Sequence, residues 1–284
     1  MYTHLLLRAG ELFLKGQNQR YFERVLEANL RAQTGIREIL RGRGRWFVPY
    51  NEEYVPLLHR VFGLTSYSPA VKVETELSVI QQTALEMLRD MKGTFKVEAK
   101  RSDKRFPLPS PEINRQVGQY IEKNSTRRCD LIAPDHTLFV EINQEGTFLF
   151  MEEFPGSGGL PTGTEGKVFL LMENKASVLA GLLMMKRGCE IQPVSFKQQA
   201  DLSGLQKYSP FRLKLRIVHQ LSELEGKDMV LVSGQQLPTI KEYSTSLTVL
   251  RPLIAYSGPE IGEELISFLG SENIKTEPAG AMKR

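Results

Sequence analysis

Residues 155–167, Pro155-Gly156-Ser157-Gly158-Gly159-Leu160-Pro161-Thr162-Gly163-Thr164-Glu165-Gly166-Lys167, are dense in glycine and proline. Glycine loses too much backbone entropy, and proline lacks the N–H donor, for such a run to form the interior of a helix or strand. The segment must be a loop. It leads straight into the apolar run Val168-Phe169-Leu170-Leu171-Met172 and then into an amphipathic pattern over residues 177–187, closed by Gly188. Loop, strand, turn and helix in that order open an α/β domain. In such a domain the strand-to-helix turn is where backbone N–H groups and the helix dipole can hold a phosphate. Here that turn reads Glu173-Asn174-Lys175-Ala176.

Two smaller units precede this domain. Residues 2–8 read as a strand. Over residues 18–32, Phe22, Val25, Leu26 and Leu30 recur at helical spacing, with Asn18 as the expected N-cap and Gly35 as the stop. Residues 36–40 and 45–48 read as two strands across the turn Arg41-Gly42-Arg43-Gly44, and residues 57–62 as a short helix. The second unit starts at Val71. It holds a helix over 77–91, a half-buried strand in which Phe95, Val97 and Ala99 alternate with Lys96, Glu98 and Lys100, and a proline-broken loop over 101–111. A helix from Ser110 to Ile121 and a hairpin of residues 138–142 and 147–151 complete it. Within the last unit, strands are expected over 189–196, 228–232 and 247–250, and helices over 211–224 and 260–269. The expected organisation is an α+β domain over 1–70, a second over 71–155, and a doubly wound parallel α/β domain over 156–284.

The chain has 284 residues, of which 41% are hydrophobic and 25% charged, so a core of ordinary size can form. Its two cysteines, Cys129 and Cys189, are too isolated for a zinc site or a CxxC pair and read as reduced structural thiols. No run is long and apolar enough to span a membrane, and the start lacks the features of a signal peptide, so a cytoplasmic protein is expected. The net charge of +4 is modest, but it is clustered. Arg37, Arg41, Arg43 and Arg45 crowd one region; Lys96, Lys100, Arg101, Lys104 and Arg105 crowd another. Such clusters are either phosphate-backbone contacts or solvated basic faces.

The string Arg8-Ala9-Gly10-Glu11-Leu12-Phe13-Leu14-Lys15-Gly16-Gln17-Asn18-Gln19-Arg20, followed by Phe22-Glu23, resembles the signature that opens the ferredoxin-like domain of the tRNA 4-thiouridine synthetases, or tRNA sulfurtransferases of the thiamine pathway. Phe95 to Arg101, Asp103-Lys104, Phe106-Pro107, Glu112-Ile113-Asn114 and Val117-Gly118 resemble a THUMP domain. Gly158 to Lys167 is similar to the join between THUMP and the family's PP-loop pyrophosphatase domain; Leu183 to Gly188 and Leu250-Arg251-Pro252-Leu253-Ile254 are similar to stretches inside that domain.

The resemblance implies that the first two units bind the acceptor stem and 3′ end of tRNA. The phosphate contacts it points to are Lys96, Lys100, Arg101, Lys104, Arg105 and Arg115, extended by Lys15, Arg20, Arg41, Arg43 and Arg45. It also implies an ATP site built on an SGG-x-DS turn. Aligned from Ala180-Gly181, Ser177 matches the last serine of that turn. Ala176 stands at its aspartate, and Glu173 and Asn174 stand at its glycines, with Lys175 between. Ser233-Gly234 begins the family's later motif, but Pro238 to Lys241 departs from it. No cysteine stands where the family keeps its persulfide-handling thiol, no rhodanese-type domain is expected, and Cys189 is the one catalytic candidate that remains.

The leading expectation is therefore a tRNA-binding protein with a degenerate nucleotide site, no cofactor and no metal, acting beside a separate catalytic subunit and plausible as a homodimer by resemblance. The alternative is a working ATP- and magnesium-dependent sulfurtransferase making 4-thiouridine at uridine 8. A third reading is a scaffold or oligomerisation module without RNA.

Overall fold

The computed structural model describes residues 2–10, 18–42, 44–226, 229–237 and 240–270. In chain order these form β1 (His4–Arg8), α1 (Gln19–Thr34), β2 (Leu40–Gly42), β3 (Arg45–Pro49), α2 (Val55–Leu58), β4 (Ser66–Val73), α3 (Leu77–Met87), β5 (Phe95–Arg101), α4 (Ser110–Asn124), β6 (His136–Asn143), β7 (Gly146–Phe150) and β8 (Phe154–Pro155). They continue as β9 (Lys167–Leu171), α5 (Lys175–Lys186), β10 (Glu190–Ser195), α6 (Ser203–Tyr208), β11 (Arg216–Ile217), β12 (Val230–Val232), β13 (Thr248–Leu250) and α7 (Gly258–Leu269). The chain sorts into two compact units. The first takes the described parts of Met1–Phe13, Ile36–His59 and Leu64–Ser157, and the second takes those of Leu14–Gly35, Arg60–Gly63 and Gly158–Arg284.

The first unit is built on one sheet, ordered β2-β3-β1-β4-β7-β6-β5, with β8 added against β4. Leu5, Leu6 and Leu7 are all buried because β1 lies inside the sheet, between β3 and β4. Strand β4 pairs with β1 through Ser66 to Ala70 and with β7 through Val71 to Val73. The expected junction between residues 70 and 71 thus falls within one continuous strand. Edge strand β5 pairs in parallel with β6 and shows the expected alternation. Phe95 and Val97 enter a core completed by Ile80, Ala84 and Met87 of α3 and by Ile113, Val117 and Ile121 of α4. The spacing of four along α4 keeps its three apolar residues on one face.

The second unit holds a five-stranded sheet, ordered β11-β10-β9-β12-β13, in which every pairing is parallel. Successive residues of β9 feed opposite faces. Val168 and Leu170 join Leu179, Leu182 and Met185 of α5 and Ile261 and Leu265 of α7. Phe169 and Leu171 pack with Val218, Leu221, Leu224 and Leu231 on the other face. Helix α5 is buried on most sides, as its nearly all-apolar sequence requires. Helix α1 belongs to this unit and ends as expected at Gly35, which adopts φ 77° and donates to the Arg31 carbonyl.

Several elements differ from expectation. The helix expected over 211–224 is extended chain with the short strand β11 and a single 3-10 turn at Leu221–Glu223. Its period is two: Leu213 and Leu215 turn inward while Arg212, Lys214 and Arg216 face solvent. The short helix expected over 57–62 is instead a 3-10 turn at Glu52–Tyr54 running into α2, because Pro56 suits the first turn of a helix. Residues 36–39 are irregular and the strand begins at Leu40. Helix α3 stops at Met87, before the expected end at Met91. Among the described residues no helix is long and apolar enough to cross a membrane.

Candidate functional site

The turn from β9 to α5 and the end of β12 come together as the motifs require. Asn174 is the N-cap of α5, and its side chain accepts from the Ser177 N–H at 3.3 Å. Ser177 Oγ accepts in return from Glu173 N at 3.1 Å and Asn174 N at 3.4 Å. This is a reciprocal capping box, and it engages three of the backbone donors around the turn, those of Glu173, Asn174 and Ser177. Gly234 lies directly over this turn. A Cβ on it would stand 2.7 Å from Ser177 N and 2.8 Å from the Ala176 carbonyl carbon. Only a glycine fits there.

A side chain from a distant stretch meets the exposed front of the turn. The Tyr243 hydroxyl donates to Glu173 Oε2 at 2.6 Å and lies 2.9 Å from Ser233 Oγ. Burial, and then the hydrogen bond to the Glu173 carboxylate, push the phenol up to about 12. Arg251 sits over the Tyr243 ring at 5.9 Å and donates to Gln235 Oε1 at 3.1 Å. The sequence motifs found Glu173, Ser177, Ser233 and Gly234. They missed Tyr243, because nothing local marks a tyrosine whose partner lies seventy positions upstream.

The glycine loop serves the opposite end of α5. Leu160 N donates to the Lys186 carbonyl at 2.9 Å, and Thr162 Oγ1 to the Met185 carbonyl at 3.3 Å. Gly163 N and Glu165 N both donate to the Gly188 carbonyl. These bonds occupy carbonyls that a helix C-terminus leaves unpaired. Gly159, at φ 73°, is so close to the Lys186 carbonyl oxygen that a Cβ would stand 2.2 Å from it. A helix of this length separates the loop from the β9–α5 turn by about 18 Å, so the loop is a structural seam. Cys189 is buried beside it, and burial, then the Glu165 charge, pushes its thiol up. A buried neutral thiol is a poor nucleophile.

The basic candidates divide by partner. Lys96 pairs with Glu98 at 3.2 Å, and Arg105 holds Asp103. Arg115 holds Glu112, whose carboxyl is brought down to about 2 by Arg115 and then Gln116. Arg101 donates to the Phe106 carbonyl at 2.7 Å and so braces the loop after β5. Arg45 is half-buried and grips Glu141 through Nε at 3.0 Å and Nη2 at 3.1 Å. Glu141 also faces Arg8, whose buried Nη2 is 3.8 Å away. Lys100 and Lys104 are exposed, and among the described residues neither has a carboxylate within ion-pair distance. Arg41 is exposed on β2, opposite Trp46 of β3, and Arg20 is exposed on α1 in the second unit. Lys15 and Arg43 lie outside the described residues.

Residues 4–68 match the ThiI ferredoxin-like domain and residues 74–152 match the THUMP domain. A probable tRNA sulfurtransferase of Moorella thermoacetica is 43% identical over 205 residues, which cover 69% of this chain and 53% of that protein. The chain thus spans about half the length of the curated relatives it matches. The crystal structure of PH1313 from Pyrococcus horikoshii Ot3 superposes with a TM-score of 0.81 at 31% identity, over 94% of this chain and 99% of that one. A 4-thiouridine synthetase solved as an RNA complex with bound ATP superposes with a TM-score of 0.80 at 25% identity, over 96% and 86% of the two chains. With its two family domains in that order, and a parallel α/β domain after them, this chain belongs to the tRNA sulfurtransferase family.

Proposed function

We propose that this chain binds tRNA through its ferredoxin-like and THUMP domains, makes no use of ATP at the β9–α5 turn, and acts beside a separate catalytic subunit. The observation that carries the second point is the Glu173–Tyr243–Ser233 contact. A triphosphate at this helix end would meet the Glu173 carboxylate, which repels it, and the Tyr243 ring, which stands in front of it. The capping box already engages the N–H groups of Glu173, Asn174 and Ser177. The residues therefore do not fit a nucleotide phosphate.

Two findings support RNA as the partner: the THUMP domain itself, and the likeness to a synthetase solved with RNA. Within the basic cluster around β5, Lys100 and Lys104 are the exposed cations best placed to meet phosphate, since among the described residues no carboxylate lies within ion-pair distance of them. Contacts of this kind read A-form shape and backbone rather than sequence. The test is the double charge reversal Lys100→Glu/Lys104→Glu, read by fluorescence anisotropy with unmodified tRNA across a salt series. The expected result is affinity lower by at least tenfold, and a log–log salt slope shallower by roughly 1.4–1.8, or about 0.7–0.9 per lost contact. Unchanged affinity and slope would refute the assignment.

A second reading is an active sulfurtransferase that adenylates and thiolates uridine 8 of tRNA. It is favoured by the likeness to the synthetase solved with bound ATP over nearly the whole chain. It requires Glu173 and Tyr243 to part before a nucleotide enters.

A further inference from the structure

A cavity of about 380 Å³ opens on the first unit, between the loop that leads into β5 and the loop that follows α4. Lys92, Gly93 and Thr94 line one side; Thr126, Arg127 and Arg128 line the other. None of these cations belongs to the basic clusters evident in the sequence. We infer that this cavity binds a phosphate group of a bound RNA, an inference that rests on the RNA-binding reading above.

The charge arrangement sets this place apart. Lys96, Arg105 and Arg115 all spend their charge on a neighbouring carboxylate. Among the described residues Lys92, Arg127 and Arg128 have no carboxylate within ion-pair distance, although all three converge on one cavity. Asp135, beside Gly93, accepts from Thr94 N at 2.7 Å and Thr94 Oγ1 at 2.9 Å. Asp130 accepts from the backbone N–H groups of Ile132 and Ala133. Both carboxylates are therefore held by local donors. Three cations around one concavity produce a focused positive potential that an anion relieves.

The walls are preformed. Phe95 N donates to the Arg128 carbonyl at 3.1 Å, and Asp130 N to the Phe95 carbonyl at 2.9 Å, so the two loops are stitched together. His136 Nε2 donates to the Lys92 carbonyl at 2.8 Å. Arg127 Nη2 donates to the Arg89 carbonyl at 3.2 Å, which fixes that guanidinium. Gly93, at φ 97°, leaves no room for a Cβ, which would stand 2.4 Å from Asp135 Oδ2. Little ordering is left for a ligand to impose.

Two features favour a polynucleotide over a free phosphate ion. The volume exceeds what one phosphate needs and lies at the lower end of sites for nucleotide-sized ligands, on the order of 300–1,000 Å³. Just past Arg128, the Asp130 turn holds Leu131 and Ile132 outward, 71% and 95% exposed, as an apolar surface a base can lie on. Lys100 lies further along β5, and the seven residues of that strand extend about 20 Å. A strand of RNA can contact the cavity and Lys100 together.

The test uses Lys92→Ala/Arg128→Ala, two exposed side chains that make no structural hydrogen bond. Tight-fold controls are the melting temperature and an unchanged far-ultraviolet spectrum. Binding of unmodified tRNA, AMP and inorganic phosphate is measured for wild type and variant. The expected result is tRNA affinity lower by about tenfold and a salt slope shallower by roughly 1.4–1.8, with the fold unchanged. If wild type binds tRNA and the variant matches it in affinity and slope, the cavity is overturned while the RNA reading stands. If wild type ignores tRNA but binds AMP or phosphate, and the variant loses that, the phosphate site stands with a free ligand as its source and the RNA reading fails. If wild type binds none of the three, both are overturned. Should the double variant unfold, Arg128→Gln alone is read in the same way, with half the change in slope.

Discussion

Replacing Tyr243 by Phe removes one oxygen and leaves the ring that Arg251 covers. The lost hydroxyl makes two contacts, at 2.6 Å to Glu173 and 2.9 Å to Ser233. A hydrogen bond to a charged acceptor is worth about 1.5–3 kcal/mol when buried. Glu173 is exposed, so water recovers part of that, and the expected cost is about 1 kcal/mol. In a chain of this size that lowers the melting temperature by about 2–4 °C. The pH dependence identifies the cause. The Tyr243 phenol is raised from its ordinary value of 10 to about 12 in the folded protein. Between those values the unfolded chain releases its proton and the folded one does not, so the contribution is complete below pH 10 and is lost as pH climbs toward 12. Melting curves of both proteins across pH 7 to 11 should therefore converge at the alkaline end. Equal melting temperatures at neutral pH, or a gap that does not narrow above pH 10, would refute the contact as a closing element of the turn.

Gly159→Ala forces an alanine to φ 73° and drives its Cβ against the Lys186 carbonyl oxygen, so it should cost about 3 kcal/mol or more by urea denaturation. Gly158→Ala, at φ 62° with open space around it, should cost only about 1 kcal/mol, and equal losses at both positions would count against the seam. Glu141→Gln withdraws the charge that holds Arg45 and faces the buried Arg8, and should cost about 3 kcal/mol in the same assay. A loss under about 1 kcal/mol would place those arginines in water rather than in the sheet.

What could be read from sequence was local. The alternation of Phe95, Val97 and Ala99 with Lys96, Glu98 and Lys100 gave β5 and its outward cations, because a strand repeats every two residues. Gly35 marked the end of α1, because few other residues accept its positive φ. The motif residues Glu173, Ser177, Ser233 and Gly234 do meet in space. The segment after Phe211 reads as a helix although its period of two is present, since its charged residues also suit an amphipathic helix. The partners of the cations were not legible. Arg45 finds Glu141 on a strand ninety-six positions away, and Tyr243 finds Glu173 seventy positions back. Such pairs depend on strand order, which periodicity does not encode. The composition of the glycine loop showed that it is a loop and not what it binds; its bonds go to the Met185, Lys186 and Gly188 carbonyls at and just past the end of α5.

The most direct test is a calorimetric titration of ATP with magnesium into the purified protein, alone and after saturation with unmodified tRNA. Salt-sensitive binding of tRNA is expected, and the Glu173–Tyr243 contact at the β9–α5 turn predicts no heat of ATP binding in either state. ATP binding, above all binding that tRNA strengthens, would contradict the account and make the chain a working sulfurtransferase whose turn opens when RNA arrives.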